Sequence, residues 1–332
     1  MKIIKKVSVL LLIILILAYA GVSYMFSSQA LTPDSFFEQT LAEMPDRWGT
    51  TYEEMMALLP EPEELIIEGF EGVMLKGRYF NVSDEDKCLF IFVHGWSDTW
   101  AGMLKYYPMV DMCKCDILMY DHRAHGESGG KYPTGGIKES EDLLLVTQWA
   151  LDHKGFDRNQ IAWLGSSWGA AASLLAGAVD NDPAFIVADA PFQDWYSAIF
   201  ERAIRDYGSV IKAIAPGIMQ MVNIRSGVNH KDASPREKAK DIVEPVLLIH
   251  SEGDLATGSI QSVNISKNLN NQSTFHHTQW GNDHVDDVVK NTAEMKEFLI
   301  NFIRKHDIKA FSPTPFRIEP DPIELKIMIE EN

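Results

Sequence analysis

A G-x-S-x-G pattern, Gly165 to Gly169, constrains the fold of this chain more than any other feature of its sequence. An apolar run, Ile161 to Leu164, comes directly before the pattern, and a stretch of small residues, Ala170 to Ala178, follows it. The first run predicts a buried strand and the second a helix. Glycines at both ends, Gly165 and Gly169, let the backbone turn sharply and lift the Ser167 side chain above a sheet. We therefore expect Ser167 to be a nucleophile at a strand-to-helix turn.

Short apolar runs alternate with helical patterns from Leu65 to Lys305, which is the rhythm of a doubly wound, mostly parallel α/β sheet. Strands are predicted at Leu65 to Phe80 (a pair), Cys88 to Val93, Cys115 to Tyr120, Gln160 to Leu164, Phe185 to Ala188, Pro245 to His250 and Ser273 to Gln279. Helices are predicted at Lys138 to His153, Trp168 to Val179 and Asp286 to Lys305. Between Phe192 and Glu244 the alternation gives way to mostly helical residues, which predicts an insertion that can roof a site.

The chain of 332 residues divides into four parts around one large core. We assign residues 1–28 to a membrane anchor or signal peptide, 29–64 to a helical lead-in without visible chemistry, 65–306 to the main domain with its insertion at about 192–244, and 307–332 to an extended tail. The tail contains Pro313, Pro315, Pro320 and Pro322, which suit an extended surface segment better than another helix.

The N-terminus carries Lys2, Lys5 and Lys6, followed by an uncharged run from Val7 to Phe26. As a helix rising about 1.5 Å per residue, residues 7–26 span about 30 Å, the hydrocarbon thickness of a bilayer. The positive-inside rule then predicts a single-pass anchor with the main domain outside the cytoplasm. Cleavage of a signal peptide after Ala18-Tyr19-Ala20 remains the alternative, and it too exports the protein. A buried core helix fits poorly beside a terminal lysine cluster.

Charge and cysteine usage exclude several kinds of partner. With 47 acidic and 30 basic residues the net charge is -17, which repels nucleic acid phosphates, so we expect no nucleic acid partner. The three cysteines, Cys88, Cys113 and Cys115, are odd in number and irregularly spaced, which argues against a disulfide framework and a zinc site. We expect them to be small buried hydrophobes and expect no metal.

A serine hydroxyl needs a base within hydrogen-bond reach, and the base needs an orienting group. His284, in the segment Gly281 to His284, follows the last predicted strand and precedes the final helix, so we assign it as the base. Other histidines lie in strands, directly after one, or in a glycine-containing loop: His94, His122, His125, His276 and His277. The histidine assignment therefore rests on position within the fold.

Asp254 is the best candidate for the acid because it lies at the carboxyl end of a predicted strand, where ligand-facing loops emerge. The resulting chain order, Ser then Asp then His, is that of nucleophile-elbow hydrolases. Glu252, Asp189 and Asp283 remain rivals, each with a solvated loop carboxylate as the plainer interpretation.

A tetrahedral intermediate needs two amide donors for its oxyanion. One comes from the residue after the nucleophile, which is Trp168. The other should come from the loop after the strand that ends at Val93, where His94-Gly95-Trp96 makes the Trp96 amide the natural candidate.

Together with the turn Gly165 to Gly169, called the nucleophile elbow, four further segments carry a resemblance: His94 to Trp96 after a predicted strand, the loop Tyr120 to Ser128, the strand end His250 to Asp254, and Gly281 to His284. Over about residues 65 to 305 the chain resembles the α/β-hydrolase superfamily, most of all bacterial membrane-anchored hydrolases of the serine aminopeptidase-like and Bem46-like groups. The resemblance implies eight mostly parallel strands, no cofactor, a helical insertion after the sixth strand, and a structural role for the Tyr120 loop.

Two departures from the family pattern stand out: Ala124 where the loop usually has glycine, and Ser251 after His250 where the pair is usually His-Gly. We expect neither to touch the chemistry. The leading hypothesis is an extracytoplasmic serine hydrolase that cleaves carboxylic esters or thioesters through an acyl-enzyme. A serine peptidase acting on short peptides is the first alternative, and a non-catalytic binding protein on the same fold is the second.

Overall fold

The computed structural model describes residues 2–83, 88–179 and 183–313. Most of the predicted C-terminal tail lies outside these residues. Eight strands form one sheet in the order β1-β2-β4-β3-β5-β6-β7-β8. They are β1 (Glu63–Glu68), β2 (Met74–Phe80), β3 (Leu89–Val93), β4 (Asp116–Tyr120), β5 (Ile161–Ser166), β6 (Phe185–Asp189), β7 (Val246–Ser251) and β8 (Thr274–Thr278). β2 is antiparallel to β1 and β4, and all other pairs are parallel, which confirms the predicted fold class.

Twelve α-helices occur in the described part of the chain. They are α1 (Lys2–Gln29), α2 (Phe37–Trp48), α3 (Tyr52–Met56), α4 (Tyr107–Val110), α5 (Ile137–Lys154), α6 (Trp168–Gly177), α7 (Trp195–Tyr207), α8 (Ala215–Ser226), α9 (Pro235–Lys238), α10 (Ile260–Ser266), α11 (Asp287–Lys290) and α12 (Thr292–Lys305). The helices α7 to α9 lie between β6 and β7, in the segment predicted as a helical insertion.

Both faces of the sheet are buried, as continuous apolar strands require. Alternate side chains of β3 point to opposite faces of the sheet. Phe90 and Phe92 pack with α2, α3 and α12, whereas Ile91 packs with α5 and α6. The lead-in helices α2 and α3 therefore belong to the core of the main domain. Their Met44, Trp48 and Met55 side chains are buried.

A disulfide joins Cys88 and Cys115, so the expectation that both are free buried thiols is wrong. The reason lies in the sheet register, which pairs Leu89 of β3 with Asp116 of β4 and so brings the two preceding cysteines together. The spacing of the cysteines along the chain does not indicate this disulfide, because the disulfide depends on which strands become neighbours in the sheet. Cys113 is free and buried, as expected.

Helix α1 is a single apolar helix that is long enough to cross a membrane; its apolar part extends from Ile4 to Gln29 with a mean hydropathy of 2.5 over its most apolar window. Its first part projects away from the domain, with residues from Ile4 to Leu17 exposed. Its last turns pack against α8.

Candidate active site

Ser167 lies in the sharp turn between β5 and α6, with φ 54° and ψ −111°. A non-glycine residue with positive φ is strained, and such strain persists where the surroundings enforce it. The flanking glycines allow the close packing that does so. A Cβ atom on Gly165 would lie 2.5 Å from the carbonyl oxygen of Gly169, and one on Gly169 would overlap the carbonyl of Val93. The two glycines are thus needed where the sequence pattern has them.

His284 contacts the candidate nucleophile directly. Its Nε2 lies 2.8 Å from the Ser167 Oγ, and its Nδ1 lies 2.5 Å from the Asp254 Oδ2. An ionised carboxylate only accepts hydrogen bonds, so Nδ1 carries the ring proton and Nε2 is left to accept from the serine hydroxyl. This is the tautomer that a general base needs.

The Asp254 side chain is buried, and each of its two carboxylate oxygens has two hydrogen-bond partners. Oδ1 accepts from the backbone amides of Ala256 and Thr257, both at 2.8 Å, and Oδ2 faces the rings of His284 and His250. Burial alone would raise the pKa of this carboxyl, but the hydrogen bonds from His250 and His284 outweigh it and hold the pKa well below its usual range. The acid therefore stays charged near neutral pH.

The three rival acids lie elsewhere. Asp189 is buried and accepts from the Tyr106 hydroxyl at 2.6 Å, and burial raises its pKa to about 6. Asp283 accepts from the backbone amide of His284 at 2.8 Å, and Glu252 is exposed. Among the four candidates, the structure brings only Asp254 to the His284 ring.

His250 is a member of this site that the sequence did not reveal. Its Nε2 lies 3.0 Å from the Asp254 Oδ2 and 2.8 Å from the Thr257 carbonyl, and its Nδ1 lies 2.7 Å from the Ser262 Oγ. Two acceptors face Nε2, so that nitrogen donates and Nδ1 accepts. A histidine at a strand end, four residues before the acid, is the only signal that could have indicated this contact.

Ser251, one of the two departures from the family pattern, makes a structural contact beside the site. Its Oγ donates to the carbonyl of Asn282 at 2.6 Å and so links β7 to the loop that carries His284. Ala124, the other departure, adopts φ 60° in its loop, a backbone conformation that glycine usually provides.

The predicted oxyanion donors lie beside the nucleophile. A Cβ atom on Gly95 would be 3.3 Å from the Ser167 Cβ, so the loop that carries Trp96 runs against the elbow. Within the described part of the chain, neither the Trp96 nor the Trp168 amide donates a hydrogen bond to another residue. The two indole rings pack together with centroids 4.9 Å apart.

Buried histidines pack against the loop that carries Trp96. The His122 amide donates to the His94 Nε2 at 2.9 Å, and the His94 Nδ1 lies 2.7 Å from the Gly95 carbonyl. Burial lowers the pKa of His94 to about 4 and that of His125 to about 3, so both rings stay neutral near pH 7. The Tyr120 to Ser128 loop thus has the structural role that the resemblance implied.

A polar cleft opens over Ser167 and His284, and α2 forms one of its walls. Arg47 of α2 donates to the His284 carbonyl at 3.2 Å and lies 3.5 Å from the Asp286 carboxylate. Lys105 also lines the cleft; it is buried, with its ammonium over the Trp48 ring at 4.8 Å. The sequence offered no sign that the lead-in reaches this site.

No group of three or more His, Cys, Asp or Glu side chains within residues 2–83, 88–179 and 183–313 is arranged to hold a metal ion. The chemistry that the site can perform with its own residues is activation of the Ser167 hydroxyl by His284.

Solved structures with this fold include esterases and peptidases. An esterase from Pyrococcus furiosus, Pf2001, is 21% identical with a TM-score of 0.61, and the match covers 77% of this chain and 94% of that one. An acylaminoacyl peptidase from Pyrococcus horikoshii is 18% identical with a TM-score of 0.56, covering 77% of this chain and 43% of that one. At these identities the likeness establishes the α/β-hydrolase fold alone.

Sequence comparisons identify a family. The uncharacterized protein YqkD of Bacillus subtilis (strain 168) is 32% identical over 196 residues, which are 58% of this chain and 64% of that protein. Residues 116–295, or 180 of the 332 residues, match the model of the family described as X-Pro dipeptidyl-peptidase (S15 family). The chain therefore belongs to the S15 family, and it has the α/β-hydrolase fold.

Proposed function

We propose that this protein is a serine hydrolase that cleaves carboxylic esters or thioesters through an acyl-enzyme intermediate. The observation that carries the proposal is the continuous chain of contacts from the Ser167 Oγ to the His284 ring and on to the Asp254 carboxylate. A serine, a histidine of the right tautomer and a buried carboxylate are the components that acyl transfer needs.

In the first half-reaction the Ser167 Oγ attacks the substrate carbonyl while its proton passes to the His284 Nε2. Asp254 stabilises the imidazolium that forms, and the Trp96 and Trp168 amides bind the oxyanion. The tetrahedral intermediate then breaks its bond to the leaving group, which takes the proton from His284. In the second half-reaction water attacks the acyl-enzyme, His284 takes a water proton and returns it to the Ser167 Oγ, and the carboxylic acid leaves.

The charges in the cleft favour esters over peptides with a free amino terminus. A peptidase that reads such a terminus needs a carboxylate available to bind an ammonium group. Glu43 accepts from the Gln39 amide at 2.9 Å, and burial raises the pKa of Asp98 while the Lys105 ammonium opposes that rise. Arg47 and Lys105 also line the cleft, so its two acidic side chains are matched by two basic ones and it offers an ammonium group no excess of negative charge. The S15 family match supports a dipeptidyl-peptidase or related peptidase as the second candidate.

We also propose that α1 remains attached and anchors the domain outside the cytoplasm. Cleavage after Ala20 would remove Tyr19, whose hydroxyl accepts from the Gly217 amide of α8 at 3.1 Å. The Cys88–Cys115 disulfide suits an oxidising compartment. Secretion after cleavage is the alternative.

Turnover of matched substrates tests the reaction class. The full-length protein in detergent should hydrolyse a short p-nitrophenyl acyl ester faster than Xaa-Pro or aminoacyl p-nitroanilides. Ser167→Ala should lower ester turnover by about 10³-fold or more, whereas Ser173→Ala, nearly two turns farther along α6, should leave it within a few-fold of the unmodified protein. Faster anilide cleavage would favour the peptidase, and a folded protein without either activity would favour a binding role.

A further inference from the structure

The last turns of α1 run parallel to α8 of the insertion. Near the start of α8 the Gly217 amide donates to the Tyr19 hydroxyl at 3.1 Å. Near its end the Arg225 guanidinium donates to the hydroxyls of Ser27 and Ser28, both at 2.8 Å. The first turn of α8 therefore lies beside the more N-terminal, apolar part of α1, and its last turn lies farther along the chain toward the main domain.

Small residues let the two helices approach closely. Ser23 and Ser27, four residues apart on α1, are fully buried. A Cβ atom on Gly217 would collide with the Ser23 hydroxyl and the Tyr19 ring. Arg225 completes the contact by lying over the Tyr24 ring at 4.3 Å. Such small-residue packing is typical of helices that associate within membranes.

The length of α1 fixes how deep this contact lies. The uncharged run from Val7 to Phe26 spans about 30 Å as a helix, which is the hydrocarbon thickness of a bilayer. Its part from Tyr19 to Phe26, about 12 Å long, lies alongside the insertion. Only about 18 Å of apolar helix extends clear of the domain, so a bilayer that covers the whole run also reaches the first turns of α8.

The surface of the insertion around the first turn of α8 suits a lipid interface. A 3₁₀ turn, Ser209–Ala213, comes directly before α8, and Val210 in it is 75% exposed. No acidic residue occurs from Tyr207 to Lys231, although the whole chain has a net charge of -17. Lys212 in the same turn is exposed and can extend its ammonium group to lipid phosphates.

The other side of the insertion reaches the candidate active site. Ile211, next to Val210 in the turn, is buried in one apolar cluster with Phe200 and Trp195. The same cluster contains Trp168, whose amide is a predicted oxyanion donor. Apolar side chains thus connect the membrane-facing turn to the nucleophile, whereas the polar cleft lies on the α2 side.

We propose that the insertion is seated in the lipid interface and that the enzyme takes its substrates, amphiphilic esters with an apolar acyl chain, from the bilayer. The acyl chain would approach along the insertion, and the polar part would occupy the cleft beside α2. This inference rests on the proposed esterase function and on the retention of α1.

Depth measurement in lipid nanodiscs tests the seating. The full-length protein carries an environment-sensitive fluorophore on Val210→Cys or, as a matched control, on Val179→Cys. Val179 is also exposed but follows the far end of α6, a helix that leads away from Ser167. Spin-labelled lipids should quench the label at position 210 and not the label at position 179. Equal quenching at both positions, or loss of the protein from the nanodiscs, would overturn the proposal.

Kinetics separate this inference from the esterase proposal itself. Val210→Asp should lower turnover of a long-chain ester embedded in the nanodisc by about tenfold and leave turnover of a soluble short ester unchanged. Val179→Asp should change neither rate. An unchanged rate on the embedded ester would overturn the bilayer route. Loss of all turnover by the unmodified protein, with the position 210 label still quenched, would instead reject the esterase function and retain the seating.

Discussion

The Asp254 carboxylate is held by two histidines and two backbone amides. In the proposed mechanism Asp254 stabilises the His284 imidazolium. His250 holds the carboxylate in place, and the His250 Nδ1 in turn lies 2.7 Å from the Ser262 hydroxyl. A hydrogen bond to a charged group contributes about 1.5–3 kcal/mol. His250 is therefore a positioning residue for the acid.

Replacement of His250 should lower kcat rather than raise KM. His250→Phe keeps the ring volume but removes the donor to Asp254, so we expect kcat for a short ester to fall by about tenfold, in line with the lower end of that energy range. His250→Gln, whose amide can donate from a similar position, should recover part of the loss. Steady-state kinetics of both variants provide the test, and an unchanged kcat in His250→Phe would contradict the positioning role.

The sequence predicts the meeting of Ser167, Asp254 and His284, because each follows a strand and neighbouring parallel strands end at one edge of a sheet. Their catalytic roles stay predictions. His250 and the Cys88–Cys115 disulfide could not be predicted, because both depend on side-chain direction and strand register, which the apolar pattern does not carry.

Among the elements, α2 is the one whose role the sequence least revealed. Its amphipathic pattern predicts a helix, but nothing in the pattern says which surface the helix covers. In the structure its buried face packs on the sheet through Met44 and Trp48, and the next face forms a wall of the cleft. Arg47 links this wall to the loop that carries His284.

The contact between Arg47 and the His284 loop should make a modest contribution to catalysis. Arg47 is partly exposed, and exposed ion pairs contribute about 0–1 kcal/mol. Arg47→Met keeps the aliphatic stem and should lower kcat/KM for a short ester by about two- to fivefold. Arg304→Met, at an exposed position of α12, should have no effect. Equal kinetics for the two variants would exclude a role for α2 in holding the loop.

For the whole molecule, the sheet brings the candidate nucleophile, base and acid to one edge, and α1 and the insertion lie beside that edge. The alternation of apolar runs was sufficient to predict the sheet. Contacts between α1 and α8 link residues nearly 200 positions apart, such as Tyr19 and Gly217. A local sequence pattern does not predict such contacts. This arrangement places the candidate nucleophile on the side of the molecule where α1, the proposed membrane anchor, contacts the insertion.

Covalent labelling tests the proposed activation of Ser167 most directly. The full-length protein is treated with a fluorophosphonate probe, and the adduct is located by mass spectrometry, in parallel with His284→Ala and with His153→Ala as an exposed histidine control. We predict an adduct at Ser167 alone, lost in His284→Ala and retained in His153→Ala. An unlabelled folded protein, or an adduct on another serine, would contradict the assignment of Ser167 as the nucleophile.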